Sequence, residues 1–322
     1  MTSFLIGIIT IVAIYCILVL GLNLRWGYCG LLDFGIAGFF LIGSYTAAIL
    51  ISAPSESYLF GAKYTVGFGV PWPLGLIAAA VSSGLLAYLI GIPTLRLRGD
   101  YLAIVTIGMA EILRYVVLNE KWLTRGVQGI RDIRRPFESF FPAASFRSDV
   151  VLLILTLAIL ALLFAISQRI YKSPFGRVLR AIREDDVVTS FLGKRVSNFK
   201  MVAFVLGGIY MGIAGALFAM YVTAIEPYQF IPTYTFLIWG CLIVGGSGNN
   251  WGALLGGALL MGLFIQGTRF LPSLSAHPQL IPALRYIAVG VLIIVVLRLR
   301  PRGILPEKTI QVRDEGELHA QS

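Results

Sequence analysis

Residues 172–200 read KSPFGRVLRAIREDDVVTSFLGKRVSNFK and separate two apolar runs, VVLLILTLAILALLFAIS at 150–167 and MVAFVLGGIYMGIAGALFAM at 201–220. Each run approaches the roughly 20 apolar residues that cross about 30 Å of hydrocarbon as a helix. Backbone groups in lipid must be satisfied by the structure itself, so helices or a closed barrel are the only options. The runs are continuous rather than alternating, which decides for helices. The polar island between them is too long for a tight turn and too rich in helix formers for a slack linker. It is expected to form a short helix on the cytoplasmic side of a membrane.

Ser173 and Pro174 suit the start of that helix, and Gly193 suits its end. On a helical wheel Val178, Ile182, Val188 and Leu192 share one arc, and Asp185 intrudes into it. Arg177, Arg180, Arg183, Glu184 and Asp186 spread over the remainder. A helix that merely lies on lipid keeps its apolar arc free of acid. An acid in the arc suits a protein groove with a polar partner. The alternative, a solvated interfacial helix that docks nothing, stays open at this point.

Working outward, the 322-residue chain is 57% hydrophobic and only 13% charged, with 35 glycines that suit close helix packing. The fold class expected is all-α: a polytopic membrane bundle of about nine spans (8–10). They fall at 4–23, 31–51, 74–92, 100–118, 150–169, 201–222, 234–246, 252–270 and 282–298. The seventh is short enough to be tilted or broken. The second begins directly after GYCG and carries several small residues, so an irregular start is expected. Residues 1–306 form one membrane domain, and 307–322 a polar tail expected to be disordered.

The N-terminal run lacks a basic leader and an A-x-A site, so it reads as a retained span with its N-terminus outside. With the island inside, Arg25, Arg96, Arg98, Arg298, Arg300 and Arg302 also fall inside, as the positive-inside rule asks. The loop 119–149 conflicts, because it falls outside yet holds Lys121, Arg125, Arg131, Arg134, Arg135 and Arg147.

The net charge of +10 belongs to these loops, and no aromatic-interleaved basic patch points to nucleic acid. Cys16, Cys29 and Cys241 are scattered, and His277 and His319 are too few for a metal site. No G-x-x-x-x-G-K-[ST] sequence is present, so the chain does not bind nucleotide in the P-loop manner. GGSG at 245–248 fits an intramembrane serine protease pattern, but Ser247 needs a positioned base. His277 in an outer loop and His319 in the tail are not placed to serve. The glycines there read instead as a tight re-entry.

The stretch SPFGRVLRAIREDDVVTSFLGKRVSNFKMVAFVLGG resembles the cytoplasmic loop of the branched-chain amino acid family of ABC-transporter permeases, in its LivM-type form. That loop carries a degenerate EAA-type coupling motif, an acid followed some residues later by Gly. Glu184 and Gly193 take those places. GLNLRWGYCGLLDFGIAGFFLIGSYTAAIL, GDYLAIVTIGMAEILRYVVLN, TFLIWGCLIVGGSGNNWGALLGGALL and RLRPRGILP resemble further family segments in the same order. The likeness spans roughly residues 15–306. Asp33 departs from it, standing where the family usually has a small polar residue, and so does Ile36, near a frequent His.

The resemblance implies the permease subunit of an ATP-driven importer in a bacterial inner membrane. It implies a second related permease, two ATP-binding subunits and a periplasmic binding protein. The chain itself would bind no cofactor, ATP being held by its partners. The solute would be a branched-chain amino acid or a related small polar molecule, such as another amino acid, urea or a short-chain amide. Within the island, Glu184 and Asp185 are expected to make polar contacts, Arg183 to pair with an acid of the ATPase, and Gly193 to form the bend.

Glu111 and Arg114 lie three apart on the fourth span and share a face. They are expected either to pair and fix packing, or to line the translocation path. Glu226 reads as a docking contact or a solvated loop acid. An ion-driven secondary transporter would need paired carboxylates or broken helices at the midplane. The membrane acids here are Asp33 and Glu111, and no inverted repeat is evident. A membrane enzyme is disfavoured by the scarcity of histidine.

Overall fold

The computed structural model describes residues 2–53, 55–59, 62–97, 99–137, 146–266 and 280–307. Helices dominate them. The exception is a hairpin in which Ser55–Leu59 (β1) pairs antiparallel with Ala62–Val66 (β2). The helices in order are α1 (Thr2–Leu22), α2 (Ile36–Ile51), α3 (Trp72–Thr94), α4 (Gly99–Asn119), α5 (Lys121–Thr124) and α6 (Phe146–Lys172). They continue with α7 (Pro174–Glu184), α8 (Asp186–Phe191), α9 (Val196–Val222), α10 (Pro232–Gly245), α11 (Asn250–Gly257) and α12 (Leu280–Leu299). Two π-helical stretches, Asn23–Gly27 and Ala258–Gln266, extend α1 and α11.

Among the described residues six segments are long and apolar enough to cross a membrane: Thr2–Gly27, Trp72–Thr94, Gly99–Asn119, Phe146–Lys172, Val196–Val222 and Pro227–Gly245. Six segments, where the sequence led to an expectation of about nine, reach that length. α2 has only 16 residues. The span expected at 252–270 is split between α11 and its π-helical extension, and residues 267–270 lie outside the described ones. In the last expected span, Val289–Leu299 is a shorter apolar stretch.

α9 is the central helix. In its most apolar stretch 67% is buried inside the protein, and in that of the first span 61%, against 22% for α4 and α6. Small residues let α2 and α3 press onto α9: a Cβ on Gly212 would lie 2.5 Å from Ser83 Oγ of α3. Polar side chains fasten these contacts. Ser83 Oγ donates to Phe39 O at 3.1 Å, and Ser44 Oγ donates to Gly215 O at 2.9 Å. α4 and α6 instead carry Ile104, Ile112, Ile154 and Leu162 on their outer faces, a surface suited to lipid.

The second expected span begins late. Helix α2 starts only at Ile36, because residues 30–35 are held in another conformation. Gly30 has φ +71°, a left-handed value that favours glycine. The Gly35 amide donates to Asp33 Oδ1 at 2.8 Å, and the Phe34 amide donates to Thr106 Oγ1 at 3.0 Å. Irregular backbone at such depth is tolerated only where protein satisfies it.

The bundle has two distinct ends. α6 runs from residue 146 to the island and α9 returns from it, so the loops at 119–137 and 223–230 lie at the opposite end. There Ile130 pairs with Ile225 in a β-bridge, and the Ile133 amide donates to Thr223 O at 3.1 Å. The basic loop that conflicted with the charge rule thus sits away from the island. Arg96 and the segment after Arg300 gather at the island end. Arg98, His277, His319 and the tail from 308 lie outside the described residues.

Candidate functional site

The island is two helices, not one. Ser173 caps α7 as expected, its Oγ accepting from the Gly176 amide at 3.2 Å, with Pro174 in the first turn. The helix breaks at Asp185, whose backbone is extended at φ −154°. Its carboxylate Oδ1 accepts from the Val187 and Val188 amides at 2.8 and 3.0 Å and starts α8. The acid that intruded into the apolar arc is therefore a helix cap. A short acid satisfies exposed backbone amides better at a helix start than inside a helix.

The break splits the expected arc. Leu179 and Ile182 are buried against the bundle at 1% and 3% exposure. Val187, Val188, Phe191 and Leu192, at 53%, 55%, 85% and 73%, face outward. Gly193 ends the element in the left-handed region at φ +76°. Lys200 Nζ of α9 clips α8 in place through Asp186 Oδ2 at 2.8 Å. Between the island and the ends of α3 and α4 lies a cleft of about 710 Å³, lined by Glu184, Asp185, Asp186, Arg96 and Lys200 among others.

Arg183 joins the island to the rest. Its Nη1 donates to the carbonyl of Gly27, at the end of the first π-helical stretch, and its Nη2 pairs with Glu307 Oε2 at 2.7 Å. Arg180 lies 3.6 Å from Glu307 Oε1 and stacks over Tyr171 at 4.4 Å. The C-terminal segment reaching Glu307 is itself anchored. The Ile304 and Leu305 amides donate to Val244 O and Gly245 O, both at 3.0 Å. Island, π stretch and the turn between α10 and α11 therefore meet at Arg183.

Deeper in the bundle, Arg25 and Asp33 form an ion pair with both side chains fully buried. Arg25 Nε donates to Phe204 O at 2.9 Å, and the guanidinium lies 4.3 and 4.0 Å from the Phe39 and Phe204 ring centres. Trp239 Nε1 donates to Asp33 O at 2.9 Å. Nearby, Asn23 Nδ2 and the Tyr28 hydroxyl donate to Asn250 Oδ1 at 3.0 and 2.6 Å, and the Gly248 amide donates to Asn23 Oδ1 at 2.9 Å.

Sequence reasoning missed most of this network. Asp33 stood out, but its partner Arg25 was read as a flanking charge that orients the first span. Asn23, Tyr28, Asn250 and Glu307 carried no signal beyond being polar near apolar runs. Glu111 and Arg114 do pair, Arg114 Nη2 lying 2.6 Å from Glu111 Oε2, with 28% and 12% side-chain exposure respectively. Neither lines the island cleft or the cavity at the opposite end of the bundle. Ser247 sits in the turn between α10 and α11, with glycines on both sides at φ +111° and +83°. Among the described residues no three His, Cys, Asp or Glu side chains gather to hold a metal.

The described residues thus form a bundle of long apolar helices with a polar junction at one end. The chain matches, over residues 4–297, the family described as branched-chain amino acid transport system / permease component, and it belongs to that family. It is 32% identical to the high-affinity branched-chain amino acid transport system permease protein LivM of Salmonella typhimurium, over 96% of this chain and 71% of that one. It is 26% identical to a probable LivM of Methanocaldococcus jannaschii, over 92% of each chain. It is also 26% identical to LivH of Salmonella typhimurium, over 78% of this chain and 81% of that one. No solved structure matches. The chain is a LivM-type permease of an ABC importer, a multi-pass inner-membrane protein and not an enzyme.

Proposed function

We propose that the chain translocates branched-chain amino acids, or related small polar solutes, as one half of a permease pair driven by two ATP-binding subunits and fed by a periplasmic binding protein. Its N-terminus faces the periplasm and its C-terminus the cytoplasm. The shorter apolar helices α2 and α12 and the segment from α11 complete a bundle of about nine crossings. The island is the coupling element.

The observation that carries this reading is the outward-facing apolar tip of α8, beside the acidic cleft edge of Glu184 and Asp186, on a helix pair tied through Arg183 to the membrane core. Such a tip fits a groove on an ATPase surface. Asp185 sets the angle of α8 and Gly193 forms the bend. Arg183, engaged by Glu307 and Gly27, carries the displacement of α7 into the π-helical end of the first span. A rigid lever of this kind couples two states only if its contacts differ between them.

The acids of the membrane region support a pump powered from outside. Asp33 and Glu111 are each paired with an arginine rather than with another acid, so they do not form the paired carboxylates that an ion-driven carrier needs. The experiment is reconstitution with the ATPase and binding-protein partners. Glu184→Lys and Gly193→Asp are expected to insert normally and to lose solute-stimulated ATP hydrolysis. At Gly193 nothing crowds an added Cβ, so the loss would come from the backbone, where a side chain at positive φ costs about 1–2 kcal/mol. Normal coupling in both variants would overturn the assignment. Uptake blocked by an uncoupler but indifferent to vanadate would point to the ion-driven alternative.

A further inference from the structure

At the end of the bundle opposite the island lies a cavity of about 520 Å³, between the first half of α1, the start of α6, the end of α9 and the start of α10. Its size falls within the range of small-molecule sites. Its wall carries both signs of charge at close quarters. Arg135 Nη1 meets Asp149 Oδ1 at 2.6 Å, and Arg135 Nη2 lies 3.5 Å from Tyr221 O. Asp149 stands in the first turn of α6, where the amide ends of a helix favour negative charge. Gln229 Oε1 also lines the cavity, is buried and accepts no hydrogen bond among the described residues. Leu152, Ile11 and Phe218 supply an apolar wall.

We propose that this cavity binds a zwitterionic amino acid on its way into the bundle. The proposal rests on the functional reading above and adds the place and chemistry of recognition. The ligand carboxylate lies against the Arg135 guanidinium, and its ammonium is shared by Asp149 and Gln229 Oε1. Its aliphatic side chain lies on Leu152 and Phe218. A buried acceptor without a donor is costly, and an ammonium supplies the donor. A cation and an anion side by side select for a ligand carrying both charges, against one that lacks either.

The test uses the reconstituted permease complex and three probes: tritiated L-leucine, leucinamide (no carboxylate) and 4-methylpentanoate (no ammonium). Leucine is expected to bind the unaltered complex at least about tenfold more tightly than either analogue. Removing a charge from the protein should matter only to ligands that carry its partner. Arg135→Gln is therefore expected to weaken leucine and leave leucinamide nearly unchanged, and Asp149→Asn to weaken leucine and leave 4-methylpentanoate nearly unchanged. Equal weakening of all three probes, or none, overturns the site. Should those variants fail to assemble, Ser3→Cys places a thiol on the cavity wall. Leucine is expected to slow its labelling by a membrane-impermeant maleimide, and an unchanged rate overturns the proposal. An unaltered complex that takes up another solute but no leucine overturns the functional reading instead.

Discussion

Arg25 and Asp33 have no exposed side-chain surface, and each is the other's charge partner. Removing one partner of such a pair leaves an uncompensated charge in an apolar interior. Asp33→Ala is therefore expected to lower stability by about 3–5 kcal/mol, read by reversible denaturation of the detergent-solubilised protein. The double replacement Arg25→Met with Asp33→Leu should recover most of that loss, because it removes both desolvated charges together. Asp33 was legible in the sequence as an anomaly. Arg25 was not, because a lone arginine after an apolar run is the ordinary signature of a span end. Only the π-helical turn at Asn23–Gly27 brings it inward onto α9. The Glu111–Arg114 pair is more exposed and lies along one helix. The exchange Glu111→Arg with Arg114→Glu is expected to restore expression that either single reversal lowers. Restored expression without restored uptake would assign the pair to the solute path.

At the scale of elements, the island shows where periodicity misleads. A helical wheel assumes an unbroken helix, and the expected arc from Val178 to Leu192 depended on that assumption. The break at Asp185 moves Val188 and Leu192 to the outside and leaves Leu179 with Ile182 as the buried anchor. The preference of aspartate for helix starts was the available signal. Asp185→Ala is expected to destabilise α8 by about 1 kcal/mol, seen as faster hydrogen exchange at the Val187 and Val188 amides. Asp185→Asn should preserve the cap. The ends of the island were legible because Ser-Pro and Gly are strong local punctuation. The late start of α2 was legible only as irregularity, since its cause is a contact from Thr106 on another helix.

At the scale of the whole molecule, apolar length is the most readable property, and it located the segments that make up the bundle. The number of full-length helices was less readable, because α2 starts late on polar contacts made only in the fold and α11 passes into a π-helical stretch. The same holds for the junction at Arg183, whose partners lie 156 and 124 positions away in sequence. Glu307→Gln is expected to loosen this junction. Faster hydrogen exchange at residues 244–248, with a fall in coupled uptake at unchanged protein level, would show it. Unchanged exchange would show that the Ile304 and Leu305 amides hold the segment alone.

The pairing of Ile304 and Leu305 with Val244 and Gly245 has a consequence for biosynthesis. Translation delivers this segment only after α7 and α10, the helices it contacts, have emerged. Until then the carbonyls at the end of α10 lack these donors, and Arg183 lacks its acid. A newborn chain thus closes the island end of the bundle only once synthesis has passed residue 307. Chains stopped at residue 303 are expected to insert and then to disappear faster than full-length chains in a pulse-chase measurement. Equal lifetimes would show that closure of this end has no bearing on survival.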